Sequence, residues 1–314
     1  MWVETKSPWI AIVLFGGRVL PRIWSRVIVV TVVAVITTFM YKEVPLMHFS
    51  LTTAPFALIG LPLGIFLGFR NTASYDRFWE GRKLWGSLVN TTRSFARQIT
   101  TFIEPVDGES ASEKEAVVVE QRQLVRMVVG YVHAFRHHLR DQKPPEELSE
   151  VLSPSELASI QGQENVPIAL LGLIGDRLRL ERKRGRIHVL HAPMLEQNLV
   201  SLTDIQGACE RIKSTPITFS YTVLLHRIVA LYCFLLPWGV TDTVGWLAPV
   251  VVLFVSYALF GLDAIGEEIE QPFGIDPNDL ALFTISRMIE VNLLRRIGAT
   301  EVPPLAKPQN GILS

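Results

Sequence analysis

The stretch GLPLGIFLGF, residues 60–69, is the most informative part of this sequence for the fold. Glycine recurs at every fourth position, as Gly60, Gly64 and Gly68. A helix brings residues four apart onto one face, so the three glycines form a stripe that another helix can approach closely.

A second stripe runs beside the glycines. Leu61, Ile65 and Phe69 have the same spacing and place bulky apolar side chains along a neighbouring face. Arg70 and Asn71 follow at once, so the apolar stripe ends at a polar boundary. Spacing alone leaves two interpretations open: the stripe lines a pore among copies of the helix, or it faces lipid or a neighbouring helix.

Composition indicates a membrane part and a water-exposed part in one chain. Of the 314 residues 49% are hydrophobic and the mean hydropathy is +0.30, yet 30 basic and 30 acidic residues are present. The net charge of zero and the lack of a basic block with interleaved aromatics give no indication of nucleic-acid binding. No Ser-His-Asp pattern or phosphate-binding glycine loop indicates an enzyme.

The uncharged runs predict four membrane spans, since a spanning helix needs about 20 mainly apolar residues. The run from Val44 to Phe69 would be about 39 Å long as one helix, at about 1.5 Å per residue, so we expect Pro55 and Pro62 to break or kink it. The predicted spans lie between Arg26 and Lys42, from Val44 to Phe69, from Arg227 to Asp242, and from Thr243 to Leu262.

Basic residues cluster on one side of these spans, which predicts that both termini are cytoplasmic. No cleaved signal peptide is evident. Cys209 and Cys233 fall in different environments, so no disulfide framework is expected. The clustered residues are Lys6, Arg18, Arg22 and Arg26 before the first span, Arg70, Arg77, Arg82 and Lys83 after the second, and Arg227 before the third.

The remaining sequence predicts an all-α cytoplasmic mass. Helical spacing of apolar residues continues the second span as one helix to about Glu104, and a further helix is expected from Ala116 to Arg140. Residues 105–115 and 142–154 read as loops, and 303–314 as a disordered tail. The predicted segments are 1–26 (interfacial), 27–69 (spans 1 and 2), 70–226 (cytoplasmic helices), 227–262 (spans 3 and 4) and 263–314 (cytoplasmic helices and tail).

Three separate blocks of the sequence are informative together: LPLGIFLGFRNTASYDRFWEGRKLWG (61–86), LTDIQGACERIKSTPITFSY (202–221) and FGLDAIGEEIEQPFG (260–274). In this order, over about residues 20–297, they resemble the bestrophin family, specifically its prokaryotic branch. The resemblance implies a homopentameric ion channel in the lipid bilayer of a bacterial inner membrane, with one central pore whose neck is lined by the second span of each subunit.

The family's three neck positions fall on Leu61, Ile65 and Phe69. In animal members two of these are phenylalanine, whereas here only Phe69 matches. Aromatic rings carry partial charges that can contact an ion, and Leu and Ile do not. The family includes chloride channels in eukaryotes and members resembling cation channels in bacteria. Since this neck is more aliphatic than that of the animal members, we expect small monovalent cations to permeate, with anions as the alternative.

The resemblance also implies a second, cytoplasmic aperture near residues 187–190, at Ile187 and Leu190. Nothing periodic marks these residues independently, and without the resemblance they read as ordinary core. Two alternatives of other classes remain. One is a metal-dependent membrane enzyme that uses His133 and His137, four apart on a helix with His138 adjacent, and the other is a non-conducting scaffold.

Animal members hold calcium in an acidic cluster after Pro-Phe-Gly. Here Ile275 replaces the first acidic residue, which leaves Asp276 and Asp279 as carboxylates. The same residues also read as a turn and N-cap of a helix from Leu280 to Leu294. We therefore expect no cofactor, with calcium at Asp276 and Asp279 as the alternative. The acidic residues Asp263, Glu267, Glu268 and Glu270 either attract cations to a vestibule or form a hydrated helix end near Arg211 or Arg287.

Overall fold

The protein is all-α, as predicted. A computed structural model describes residues 19–44, 51–143, 146, 148–160, 162–308 and 313, and among these the only extended pairing is a single bridge between Ile103 and Ile187. The helices are α1 (Val19–Glu43), α2 (Thr53–Phe102), α3 (Ala111–Leu139), α4 (Leu148–Val151), α5 (Pro154–Ile160), α6 (Val166–Lys183), α7 (Ala192–Ser214), α8 (Phe219–Val244), α9 (Ala248–Ile269) and α10 (Leu282–Arg296).

The chain forms two compact units. The apolar unit contains the described residues up to Phe78 together with Pro216–Pro272. The polar unit contains Trp79–Thr215 and the described residues from Phe273 onward. Helix α2 contributes its first half to the apolar unit and its second half to the polar unit.

The apolar unit is a bundle in which one face of each helix is buried. On α1 the buried residues recur at helical spacing, which is why this strongly apolar segment has a defined inner face. Residues from α2, α8 and α9 complete the same core, and Phe56 of α2 lies against Gly239 of α8. The principal core residues are Ile23, Val27, Val30, Ala34, Leu63, Leu67, Leu225, Val229, Cys233, Val252 and Phe260.

Three helical stretches of the described chain are long and apolar enough to cross a membrane: Pro21–Glu43, Thr53–Phe102 and Phe219–Ile269. The third is interrupted by a 3-10 turn at Gly245–Leu247, where Gly245 has a φ of +58°. This turn lies close to the boundary expected between the third and fourth spans, at Asp242 and Thr243. The count of four spans stays a prediction.

Helix α2 is not broken by its prolines, contrary to expectation. Pro55 lies in the first turn, where the missing N–H has no intrahelical partner to lose. Pro62 lies inside the helix, which continues without interruption to Phe102. The predicted extension of this helix beyond the apolar stretch is confirmed, while the stretch 45–50 before it lies outside the described residues.

The polar unit is a helical assembly around an aromatic core. Trp85 of α2 stacks on Phe135 of α3, with ring centroids 5.6 Å apart, and Tyr131 also stacks on Phe135, with ring centroids 5.9 Å apart. Helix α3 begins at Ala111, earlier than predicted, because Ser110 and Glu113 form a capping box. The short helix α4 occupies part of the predicted loop 142–154. Both cysteines are buried and free.

Candidate pore-lining face

Helix α2 has two opposite faces within the apolar unit. Leu63 and Leu67 are 3% and 0% exposed, because they pack into the bundle core. Leu61, Ile65 and Phe69 are 73%, 50% and 64% exposed. The three predicted neck residues therefore share one outward face of α2, turned away from the core of their own chain.

The three glycines beside this face have different surroundings. A Cβ on Gly60 would lie 2.8 Å from the Tyr232 hydroxyl, so Gly60 makes room for α8 of its own chain. The expectation that Gly60 serves a neighbouring copy therefore has no support in its surroundings. Gly64 and Gly68 have no atom within 4 Å of a Cβ position, which leaves this part of the stripe open.

Polar residues continue the outward face toward the end of the apolar unit. Thr72 is exposed and donates its hydroxyl to the Gly68 carbonyl at 3.0 Å. Asp76 is exposed one turn further on. At about 1.5 Å per residue, Asp76 follows Phe69 by about 10 Å along the helix.

An ionic cluster lies on the buried side of the same helix. Arg70 donates from Nη1 to Asp263 Oδ1 at 2.6 Å, and the other carboxylate oxygen of Asp263 contacts Nδ1 of His226 at 2.6 Å. Glu270 lies 3.9 Å from Arg70 and accepts the backbone N–H of Ile217 at 3.0 Å. Buried charges are retained only when paired and hydrogen-bonded, and Arg70 meets the condition through Nη1, whereas its Nε and Nη2 have no hydrogen-bond partner among the described residues.

The cluster corrects the interpretation of the acidic residues as a hydrated helix end. Asp263, Glu268 and Glu270 are buried, and only Glu267 is exposed. The arginines considered as their partners have others, since Arg211 contacts Glu80 and Arg287 contacts Glu290. Sequence reasoning missed Arg70 as the partner; its only signal was a lone arginine directly after an apolar run.

The two aperture residues differ in their surroundings. Ile187 is 4% exposed and pairs with Ile103 across the single bridge, so its side chain is part of the core of the polar unit. Leu190 and its neighbour Val189 are exposed. Of the short apolar stretch, residues 189–190 are the ones available to line an opening.

One of the two carboxylates of the calcium candidate, that of Asp279, is engaged within its own turn. Asp279 accepts the backbone N–H of Asp276 at Oδ2, 2.7 Å away, and donates its own N–H to the Asp276 carbonyl. Asp279 is buried and interacts with Arg140. Burial lowers the pKa of Arg140 overall, and the carboxylate of Asp279 offsets part of this shift. The turn was predicted, but the N-cap was not correct, because α10 begins at Leu282 with Ala281 at the N-cap.

The histidines considered for a metal each have a separate partner. His133 Nε2 lies 3.0 Å from Glu290, and His138 Nε2 lies 3.1 Å from Glu210. His137 contacts the Lys143 carbonyl at 2.7 Å through Nδ1. Burial raises the pKa of Glu290, but the hydrogen bond from His133 and nearby arginines lower it overall. Among the described residues, no group of three or more His, Cys, Asp or Glu side chains converges as a metal site would require.

Residues 1–295 match the family model described as Bacterial/Fungal Bestrophin protein. The chain belongs to the bestrophin family. The resemblance drawn from the sequence blocks is therefore confirmed, and with its apolar helices this bestrophin is a membrane protein.

Individual relatives agree with the family match over nearly the whole bestrophin chain. A voltage-dependent anion channel-forming protein of Ralstonia nicotianae is 37% identical over 92% of this chain and 92% of its own length. A protein of the same description from Escherichia coli K12 is 32% identical over 98% of both chains. A bacterial bestrophin homologue from Klebsiella pneumoniae has a similar structure, with a TM-score of 0.81 and 32% identity over 89% of this chain and all of that one.

Proposed function

We propose that this bestrophin is an ion channel in which five copies surround a central pore, with α2 of each copy lining its neck. The observation that carries the proposal is the shared outward face of Leu61, Ile65 and Phe69, opposite the buried Leu63 and Leu67. A face turned to lipid or to a neighbouring helix would also be apolar and exposed in a single chain. The family and the channel-named relatives favour the pore.

The neck is a tall apolar constriction. Leu61 and Phe69 are eight residues apart, which is about 12 Å along a helix. Five copies of this face give three stacked apolar rings. An apolar constriction holds water poorly, so it gates by dewetting and conducts after a small widening.

The glycine stripe brings the copies together. Gly64 and Gly68 present no side chain and have open space at their Cβ positions. A neighbouring α2 approaches closest along such a stripe, because van der Waals packing rather than water exclusion drives helix association in lipid.

Anions are the permeant ions that the relatives favour. The similar proteins of Ralstonia nicotianae and Escherichia coli are both described as anion channel-forming. The aliphatic neck has no charge of its own to oppose them. The cation selectivity expected from the sequence has no support among these relatives.

Cation permeation stays as a second candidate because of one residue. Asp76 is an exposed carboxylate on the outward face of α2, past the neck. Five carboxylates in a ring at a pore raise the local cation concentration and oppose anions.

In this proposal the cytoplasmic side contains the termini, the polar unit and the second aperture. We place both termini and the polar unit in the cytoplasm of a bacterium, below the inner membrane, on the distribution of arginines. The exposed residues Val189 and Leu190 are the candidates for the second aperture.

The reversal potential of the purified protein in a planar bilayer tests this function. Under a KCl gradient, a channel gives currents that reverse near the chloride equilibrium potential if anions permeate, and near the potassium equilibrium potential if Asp76 dominates. Absence of current from protein that is assembled in the bilayer contradicts the channel itself.

A further inference from the structure

The apolar unit contains a cavity that the pore does not use. It has a volume of about 830 Å³ and opens between α1, α8 and α9. All of its lining residues belong to this one unit. They are Ser25, Arg26, Val29, Val30, His226, Arg227, Ala230, Leu231, Phe234 and Phe260.

The rim of the cavity is cationic. Arg26 and Arg227 are exposed, and neither forms an ion pair within the described part of the chain. No carboxylate is among the described residues that line the cavity. An exposed arginine pair without a carboxylate suits a phosphate, which guanidinium groups bind through paired N–H donors.

A third polar group at the rim is held in place from behind. His226 contacts Asp263 through Nδ1 at 2.6 Å, and Asp263 is in turn held by Arg70. This arrangement leaves Nε2 as the ring nitrogen for the cavity side. A carboxylate behind an imidazole fixes its orientation, so the ring of His226 is held beside the two arginines. Because Nδ1 faces Asp263, Nε2 donates to an anion only when the ring is the imidazolium.

The rest of the cavity is apolar and continues away from the rim along both helices. On α1, Val29 and Val30 follow Arg26 by one turn. On α8, Phe234 follows Arg227 by seven residues, about 10 Å along the helix. Phe260 of α9 is buried at 3% exposure and contributes to the floor.

A cationic rim followed by an apolar groove has the polarity of a phospholipid. We propose that this cavity binds an anionic phospholipid of the cytoplasmic leaflet, with its phosphate at Arg26, Arg227 and His226 and one acyl chain along Val29, Leu231 and Phe234. The site rests on the proposed membrane placement and cytoplasmic orientation of the apolar unit, but it does not depend on conduction or on the neck.

Native mass spectrometry of the delipidated full-length protein tests the site. Phosphatidylglycerol is the anionic probe and phosphatidylcholine the zwitterionic one. We expect saturable phosphatidylglycerol binding that weakens at least tenfold in the double variant Arg26→Gln, Arg227→Gln, while phosphatidylcholine binding stays unchanged. The matched control is Arg22→Gln, which removes an exposed charge one turn earlier on α1, outside the cavity.

A second variant separates the groove from general surface charge. Ala230→Trp fills the cavity without changing charge and is expected to reduce phosphatidylglycerol binding, whereas inorganic phosphate is expected not to compete at equal concentration. Equal binding in the double variant and the wild type, an equal loss in Arg22→Gln, or full competition by inorganic phosphate overturns the proposal. Currents from the same preparations report on the channel separately.

Discussion

Arg70 of α2 and Asp263 of α9 form a buried ion pair, with Nη1 and Oδ1 2.6 Å apart across 193 residues of sequence. Both side chains are almost fully buried, at 0% and 2% exposure. Arg70 directly follows Phe69, so the pair fixes the rotation of α2 about its own axis at the lower end of the proposed neck. The outward direction of Phe69 is thereby tied to α9.

Replacing Asp263 by asparagine leaves the guanidinium of Arg70 buried without its main counter-charge. Breaking one partner of a buried pair costs about 3–5 kcal/mol, so we expect a large drop in the unfolding temperature of Asp263→Asn in detergent. The control is Arg211→Gln, which removes an exposed pair with Glu80 and costs at most about 1 kcal/mol.

Replacing both partners distinguishes the loss of pairing from a loss of packing. The double variant Arg70→Met, Asp263→Leu removes both charges of the pair, and we expect it to melt above Asp263→Asn but below wild type, because Glu270 and His226 lose Arg70 and Asp263 as partners. An Asp263→Asn protein that melts like Arg211→Gln would show that the pair does not hold α2.

Gly239 and Phe56 give a test of the packing between α8 and α2. A Cβ at Gly239 would overlap the Phe56 ring, so Gly239→Ala forces the ring to move. We expect a destabilisation of about 1–3 kcal/mol, measured by chemical unfolding in detergent. Gly207→Ala on α7 is the control, because its Cβ position is open and alanine favours helix by about 0.5–1 kcal/mol. Similar effects of the two substitutions would contradict this packing.

The neck face was predictable because its signal is local. Leu61, Ile65 and Phe69 repeat at helical spacing, and the structure needs only the helix to bring them together. The same applies to the helical extension of α2 up to Phe102. Which face of α2 is buried could be predicted less directly from the sequence, since Leu63 and Leu67 are as apolar as the neck residues.

The buried cluster was not predictable, because its members are distant in sequence. Nothing near Arg70 shows that Asp263 lies against it, and a carboxylate at a helix end reads equally well as hydrated. Ile187 illustrates the same limit: its burial follows from pairing with Ile103, which local pattern does not reveal. Pro55 and Pro62 were expected to break or kink α2, and the helix runs through both without a break.

Glu156 provides a pH-dependent contribution to the polar unit. Burial raises the pKa of this carboxyl, but hydrogen bonds from Arg177 and Ser153 outweigh it and lower the pKa from 4.5 to about 2. A group with a depressed folded-state pKa stabilises the fold above its unfolded value, and this stability is lost as the pH falls from about 4.5 toward 2.

The comparison of wild type with Glu156→Gln measures that contribution. We expect the variant to be less stable by about 1 kcal/mol at pH 7, a value discounted for partial exposure, and the gap to close as the pH falls toward 2. Thermal unfolding at pH 7, 5 and 3 follows the gap. A gap that stays constant with pH would contradict the assigned pKa.

Asp76 tests the charge on the outward face past the neck. If the carboxylate lies beside the ion path, Asp76→Asn shifts the reversal potential under a KCl gradient toward the chloride equilibrium potential. Asp204→Asn, an exposed carboxylate on α7, is the matched control. An unchanged reversal potential in Asp76→Asn removes the argument for cation selectivity.

The neck itself is tested by the single-channel conductance of the triple variant Leu61→Ala, Ile65→Ala, Phe69→Ala in a planar bilayer. Removing the three apolar rings widens the constriction and lowers its barrier to water, so the account predicts a several-fold higher conductance. Val250→Ala, Phe254→Ala on α9 removes other exposed apolar side chains and is expected to leave the conductance unchanged. Wild-type conductance in an assembled triple variant would contradict the placement of the pore at this face.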